Sequence, residues 1–227
     1  MTVAALGGAS LAQAQSIAAA RAVTRAQLCV TEGELTASSD GSRLDVAVPK
    51  MRAYANQSAT QGAQLRFTYL GPTVTQSALG SGATRVQFGL KLRAADPCNL
   101  VYVMWRVEPE SKLVVSIKSN PDAHRSSQCG NRGYQNVKPT VSSAVPQLAS
   151  GQAHTLRAAL HGDDLSAYVD NRLVWQGPLG PVAGAMHGAA GVRSDNAHIE
   201  FELAVERSDS ERADPGPGCR SGPEESE

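Results

Sequence analysis

From Leu44 onward, apolar and polar residues alternate at a period of two in short runs, and helical periodicity is hard to find. The pattern predicts eleven strands: Leu44 to Val48, Lys50 to Tyr54, Gln64 to Leu70, Arg85 to Leu92, Leu100 to Val107, Lys112 to Lys118, His154 to Leu160, Leu165 to Val169, Arg172 to Gln176, Ala189 to Arg193 and His198 to Val205. Between them lie residues that tolerate tight reversals, among them Ser39-Asp40-Gly41-Ser42, Leu79-Gly80-Ser81-Gly82, Glu108-Pro109-Glu110-Ser111, Gly162-Asp163-Asp164 and Asp170-Asn171. Eleven short strands point to an all-β, two-sheet antiparallel sandwich. The longest stretch without clear periodicity, Ser119 to Ser150, holds Cys129 and three prolines and reads as a disulfide-pinned surface loop.

The ends change the count of folding residues. Met1 to Ala14 carries an apolar stretch closing on Ala12-Gln13-Ala14, the small-x-small pattern of a signal-peptide remnant, although it lacks a positive leading region. The alternative is an amphipathic helix continuing through Ile17-Ala18-Ala19-Ala20-Arg21. Residues 208–227 have too little apolar surface to order themselves and are expected to be a disordered tail. One domain, residues 15–207, remains.

Composition narrows the function. Lys+Arg 21 against Asp+Glu 21 gives a net charge of zero, which argues against a nucleic-acid binder with a generally basic surface. No apolar run approaches the roughly 20 residues of a spanning helix. Cys29, Cys98, Cys129 and Cys219 show neither Cys-x-x-Cys nor Cys-x-x-His spacing, so disulfides in a secreted or periplasmic protein are expected rather than a zinc site. Of the three possible pairings we favour Cys98 with Cys129 and Cys29 with Cys219, because the second pair would join the two ends of the strand-rich region.

The segment from His154 to Val205 runs HTLRAALHGDDLSAYVDNRLVWQGPL and then GAAGVRSDNAHIEFELAV. It resembles the last five strands of concanavalin A-like and laminin G-like jelly rolls. Tyr168-Val169-Asp170-Asn171 stands where such families place a tyrosine-valine-aspartate-glycine turn, with Asn171 in the glycine's position. Gly188 to Asn196 is similar to the penultimate strand, especially as written in the bacterial keto-disaccharide hydrolase family. The resemblance covers about a quarter of the chain and implies a jelly-roll fold, not an active site.

In the central strands the predicted core is Leu65, Phe67, Tyr69; Val86, Phe88, Leu90, Leu92; Val101, Val103, Trp105, Val107; Leu113, Val115, Ile117. The pleat then sends Gln64, Arg66, Thr68, Arg85, Gln87, Gly89, Lys91, Leu100, Tyr102, Met104, Arg106, Lys112, Val114, Ser116 and Lys118 to the opposite side. That set contains six basic residues and no acidic one, whereas the last strand presents His198, Glu200, Glu202, Ala204 and Glu206, opposite in sign. Such a face is expected either to be plainly solvated or to bind a glycan. For the second reading the candidate ligand-binding residues are Arg66, Arg85, Gln87, Lys91, Tyr102, Arg106 and Lys118, with Tyr102 as the stacking ring and the cations matched to an acidic polysaccharide.

Catalytic alternatives have weaker support. Glu200 and Glu202 lie on one face of a strand, as the carboxylate pair of jelly-roll glucanases does, but the intervening aspartate of those enzymes is missing and the strand is terminal. A polysaccharide lyase could draw on Arg66, Gln87 and Tyr102, yet the glutamine-x-histidine pattern of alginate lyases is absent and no histidine lies on the basic face. Asp163-Asp164 and Asp170-Asn171 leave calcium as the one conceivable cofactor, although turn preference explains them without a metal. The expectation is therefore a secreted or periplasmic lectin-like module holding an acidic polysaccharide on a basic concave sheet, with no catalytic residue and no cofactor assigned. The alternatives are a glycan-cleaving enzyme and a cell-envelope interaction domain without affinity for sugar.

Overall fold

The computed structural model describes residues 20–56 and 60–207. The leader expected at residues 1–14 and the tail at 208–227 lie outside the described residues. The strands are β1 (Arg21–Val23), β2 (Leu28–Glu32), β3 (Thr36–Ala37), β4 (Leu44–Val46), β5 (Lys50–Ala55), β6 (Thr60–Pro72), β7 (Val86–Asp96), β8 (Asn99–Glu108), β9 (Lys112–Lys118), β10 (Tyr134–Asn136), β11 (Val141–Ser142), β12 (Gln152–His161), β13 (Asp164–Val169), β14 (Arg172–Pro178), β15 (Ala189–Asp195) and β16 (Ala197–Arg207). Among the described residues helix is confined to single turns at Ser126–Cys129 and Pro181–Gly184 and a 3-10 turn at Arg25–Gln27. Among the described residues no helix is long and apolar enough to cross a membrane.

The strands form two antiparallel sheets. One runs β11-β14-β13-β12-β6-β16-β4-β3, with β1 also paired to β16; the other runs β10-β9-β8-β7-β15-β5-β2. The alternating apolar residues of both sheets meet in one core. Phe67 of β6 packs edge-on against Phe88 of β7, with ring centroids 4.6 Å apart, and against Trp105 of β8 at 5.6 Å. Of the predicted core residues all are buried except Val107 and Leu113, which are half-buried at its margin.

All eleven predicted strands are present, several of them longer than the pattern suggested. The further strands are short. β10 and β11 lie inside the stretch expected to be a loop, and every residue of both is exposed, so neither leaves an alternating signature. The β13–β14 turn puts Asp170 and Asn171 at φ 50° and 64°, the left-handed pair of a tight two-residue hairpin, which accounts for an asparagine in the glycine's place. Asn196 (φ 55°) makes the corresponding turn between β15 and β16, and its amide bonds Ser77 N, Ser77 O and Arg85 O. Cys98 and Cys129 form the expected disulfide. Cys29 is also disulfide-bonded, but the partner proposed for it, Cys219, lies outside the described residues.

Candidate functional site

The chemistry-bearing residues gather on the outer side of the seven-stranded sheet. In β7 the core takes Phe88, Leu90 and Leu92, so Gln87, Gly89 and Lys91 face outward; β8 sends Leu100, Tyr102, Met104 and Arg106 the same way, and β9 sends Val114, Ser116 and Lys118. Next to β7, β15 contributes Arg193, opposite Gly89, and Asp195, opposite Gln87. β5 adds Arg52, opposite Arg193, and Tyr54, opposite Gly191. The two glycines are required, since a Cβ at Gly89 would collide with the Val103 carbonyl oxygen and one at Gly191 with that of Ala53.

Asp195 is the centre of this face. It is fully buried and accepts from Arg52 Nη2 (2.5 Å), Arg193 Nε (2.8 Å) and Gln87 Nε2 (2.7 Å). Burial alone would raise its pKa, but the two guanidiniums and the Gln87 bond outweigh that and hold the carboxyl at about 2. Arg193 is held firmly charged, because Asp195 and the nearby tyrosines more than offset its own burial. Its guanidinium lies 4.8 Å from the Tyr102 ring centre and donates to the Tyr134 hydroxyl at 3.1 Å. Tyr102 and Tyr134 stack at 5.9 Å, Lys118 sits 5.3 Å from the Tyr134 ring, and Lys91 sits 5.9 Å from that of Tyr54. Burial pushes Tyr102 up to about 12. Lys118 is lowered by burial and donates to Pro97 O at 3.1 Å.

Gln87, Lys91, Tyr102, Arg106 and Lys118 thus stand on one face as expected, with Arg85 just before β7 at its end. Arg66 does not join them. β6 belongs to the other sheet, so the residues flanking Phe67 and those flanking Phe88 point to opposite exteriors of the sandwich. There Arg66 is exposed, opposite Glu202 and Thr155. The face is also not free of acid, as Asp195 shows. Tyr102 is only 4% exposed and offers no open ring; Tyr134, at 39%, does. Arg52, Tyr54, Tyr134, Arg193 and Asp195 also stand on this face, outside the ligand-binding set drawn from the sequence. The alternation Arg52, Tyr54 within a predicted strand and Arg193, Asp195 within the quoted Gly188–Asn196 motif was the available signal.

The face is closely covered. Lys91, Lys118 and Gln87 are 4%, 5% and 6% exposed although they point away from the core. Gly80, in the connection between β6 and β7, abuts Asn131, which follows Cys129, so segments that flank the face from opposite ends of β8 touch.

The other candidate chemistries separate from this face. Glu202 is half exposed on the outside of the nine-stranded sheet, 3.5 Å from Arg43, and Glu200 stands on the same strand. Glu206, expected outward, is buried and bound through both oxygens by Arg157 at 2.6 and 3.1 Å. Asp170 accepts from Thr155 N (2.8 Å) and lies 2.7 Å from His154 Nδ1, while Asp163 faces Arg93 at 3.6 Å. Among the described residues no three histidine, cysteine or acidic side chains converge as a metal site. A shallow cleft lined by Ile117, Val137, Pro178 and Leu179 opens at the sandwich edge, away from Asp195.

No protein-family model and no curated protein matches the sequence. Solved structures do. The carbohydrate-binding module CBM66 from Bacillus subtilis matches with a TM-score of 0.53 at 13% identity, over 77% of this chain and 91% of that one. The Emp47p carbohydrate recognition domain matches with 0.50 at 11%, over 82% and 90%. The Crh5 transglycosylase in complex with NAG matches with 0.50 at 13%, over 87% and 88%. At these identities the likeness concerns the fold: the chain folds as a concanavalin A-like jelly roll.

Proposed function

We propose that this domain is an exported carbohydrate-binding module that holds an acidic polysaccharide over the outer face of the seven-stranded sheet without cleaving it. The observation that carries the reading is the Tyr134, Tyr102, Arg193 stack, set among Arg52, Arg85, Lys91, Arg106, Lys112 and Lys118, with Asp195, Glu32, Asp96 and Glu110 as the carboxylates that act on these cations. A ring with an open side offers a sugar a stacking surface, and cations in excess of carboxylates supply attraction for an anionic chain. The likeness to a carbohydrate-binding module and a carbohydrate recognition domain is compatible with it. In this arrangement Tyr134, Tyr54 and Arg52 meet the ligand, while Lys91 and Lys118 act from beneath through their charge.

One observation favours a second reading, an envelope interaction domain without affinity for sugar: Gln87, Lys91, Tyr102 and Lys118 are buried rather than displayed. The two readings separate in a calorimetric titration with polygalacturonate and with neutral dextran, run beside a reducing-end assay. Binding of polygalacturonate without new reducing ends, weakening between 0.1 and 1 M salt, supports the module. New reducing ends would make it an enzyme, and no binding to either polymer would leave the interaction domain.

A further inference from the structure

We propose that Arg85 and Arg106 form an oxyanion subsite at one end of this face, which takes a carboxylate or sulfate ester of the bound glycan; the proposal rests on the glycan-binding reading above. Arg106 stands in register with Gln87 on one side and Lys112 on the other, and Arg85 directly precedes β7. Arg85 is fixed from behind, since its carbonyl accepts from the buried Asn196 amide at 2.9 Å. Elsewhere on this sheet Arg52 and Arg193 end on Asp195, and Arg93 faces Asp163. Among the described residues Arg106 pairs with no carboxylate in this way. Its Nε is buried and, among the described residues, meets no acceptor.

The charges around the pair point the same way. Burial, and then the neighbouring Arg85, lower the Arg106 pKa, so two cations are held close enough to oppose each other. The carboxylate that acts on Arg106 is Glu110, which is exposed and bound by Lys112 at 2.6 Å. Glu108 acts on Tyr69, on the core side of the strand. A buried donor without an acceptor is costly. An anion between the two guanidiniums would accept from their outer N–H groups, give the Arg106 guanidinium the acceptor it lacks and offset the repulsion, and the planar fork of each arginine matches the oxygens of a carboxylate or a sulfate.

The test pairs a direct measurement with variants. In the wild-type protein the Arg106 Nε–H resonance should shift on titration with galacturonate or inorganic sulfate, and a resonance unmoved by both would overturn the subsite. Polygalacturonate, dextran sulfate and dextran are then titrated against wild type, R106Q, R106K and R85Q/R106Q, each checked for its β-sheet spectrum. R106Q should weaken the preferred anionic polymer about tenfold, R106K should recover only part of the loss, and dextran should not respond. Loss confined to polygalacturonate assigns a carboxylate, and loss confined to dextran sulfate assigns a sulfate. Wild-type affinity for both anionic polymers in the folded double variant overturns the subsite and leaves the glycan-binding reading standing. Failure of the wild type to bind any of the three overturns both.

Discussion

Asp195→Asn removes one negative charge and almost no volume, and it tests whether the polar centre of the face holds the fold together. The wild-type carboxyl titrates at about 2 instead of 3.8, and at 1.36 kcal/mol per unit this ionisation contributes about 2 kcal/mol to stability at neutral pH. The folded pKa is depressed, so the contribution is complete above the unfolded value near 4 and is lost as pH falls towards 2. The substitution also leaves Arg52 and Arg193, with side chains 14% and 11% exposed, without their shared counter-charge. Breaking one side of a buried pair costs roughly 3 to 5 kcal/mol, and their residual exposure places this case at about 3 kcal/mol. Urea unfolding followed by the fluorescence of the buried Trp105 and Trp175 should show that loss at pH 7 and a much smaller one near pH 2. Asp40, also at about 2, is present in both proteins and cancels in the comparison. A loss below 1 kcal/mol at pH 7, or one unchanged from pH 7 to pH 2, would refute the assignment of Asp195 as the charged hub.

Replacing both Cys98 and Cys129 by serine releases a cross-link across 31 residues, and urea unfolding should show a loss of about 3 to 4 kcal/mol at most by loop entropy. Arg66→Ala should leave polygalacturonate affinity within twofold of wild type, because it lies on the far sheet, whereas Tyr134→Ala should lower it about fivefold, the worth of roughly 1 kcal/mol of aromatic contact. The same calorimetry reads both, and equal losses would contradict the placement of the face. Phe67→Ala, which removes the ring that joins the two sheets, should cost about 3 to 5 kcal/mol in thermal or urea unfolding.

The pleat made the core legible. A period of two states which residues of a strand share a side, and Phe67, Phe88, Val103 and Trp105 all lie where it puts them. The same period carries no information about which sheet a strand joins. Arg66 and Gln87 were therefore assigned to one face, although a connection across residues 73–85 takes the chain from one sheet to the other. Asp195 escaped because the predicted strand stopped at Arg193, one alternating position short. Tyr134 stayed outside the ligand-binding set because a three-residue edge strand with every side chain exposed carries no alternation that assigns it to a face.

β8 carries a signal of a different kind, and it bears on how a ligand reaches this face. Its residues from Asn99 to Trp105 are buried without interruption, and an unbroken apolar run is what a strand covered on both sides requires. Leu100, Tyr102 and Met104 form their own small cluster outside the main core, so the middle of the sheet's exterior is apolar and shielded. Desolvated cations such as Lys118 then sit beside an environment of low polarity, where their fields are less screened than at an open surface. On the proposed reading, a polymer passing over such a face would gain its contacts around this interior, from Tyr134 on the edge strand β10, from Arg52 and Tyr54 on β5 beside the other edge, and from Arg85 with Arg106 at the end, while the covered interior supplies potential. Removing Arg85 or Arg106 should therefore change affinity with little effect on stability, whereas removing Asp195, or Arg52 that pairs with it, should change stability first.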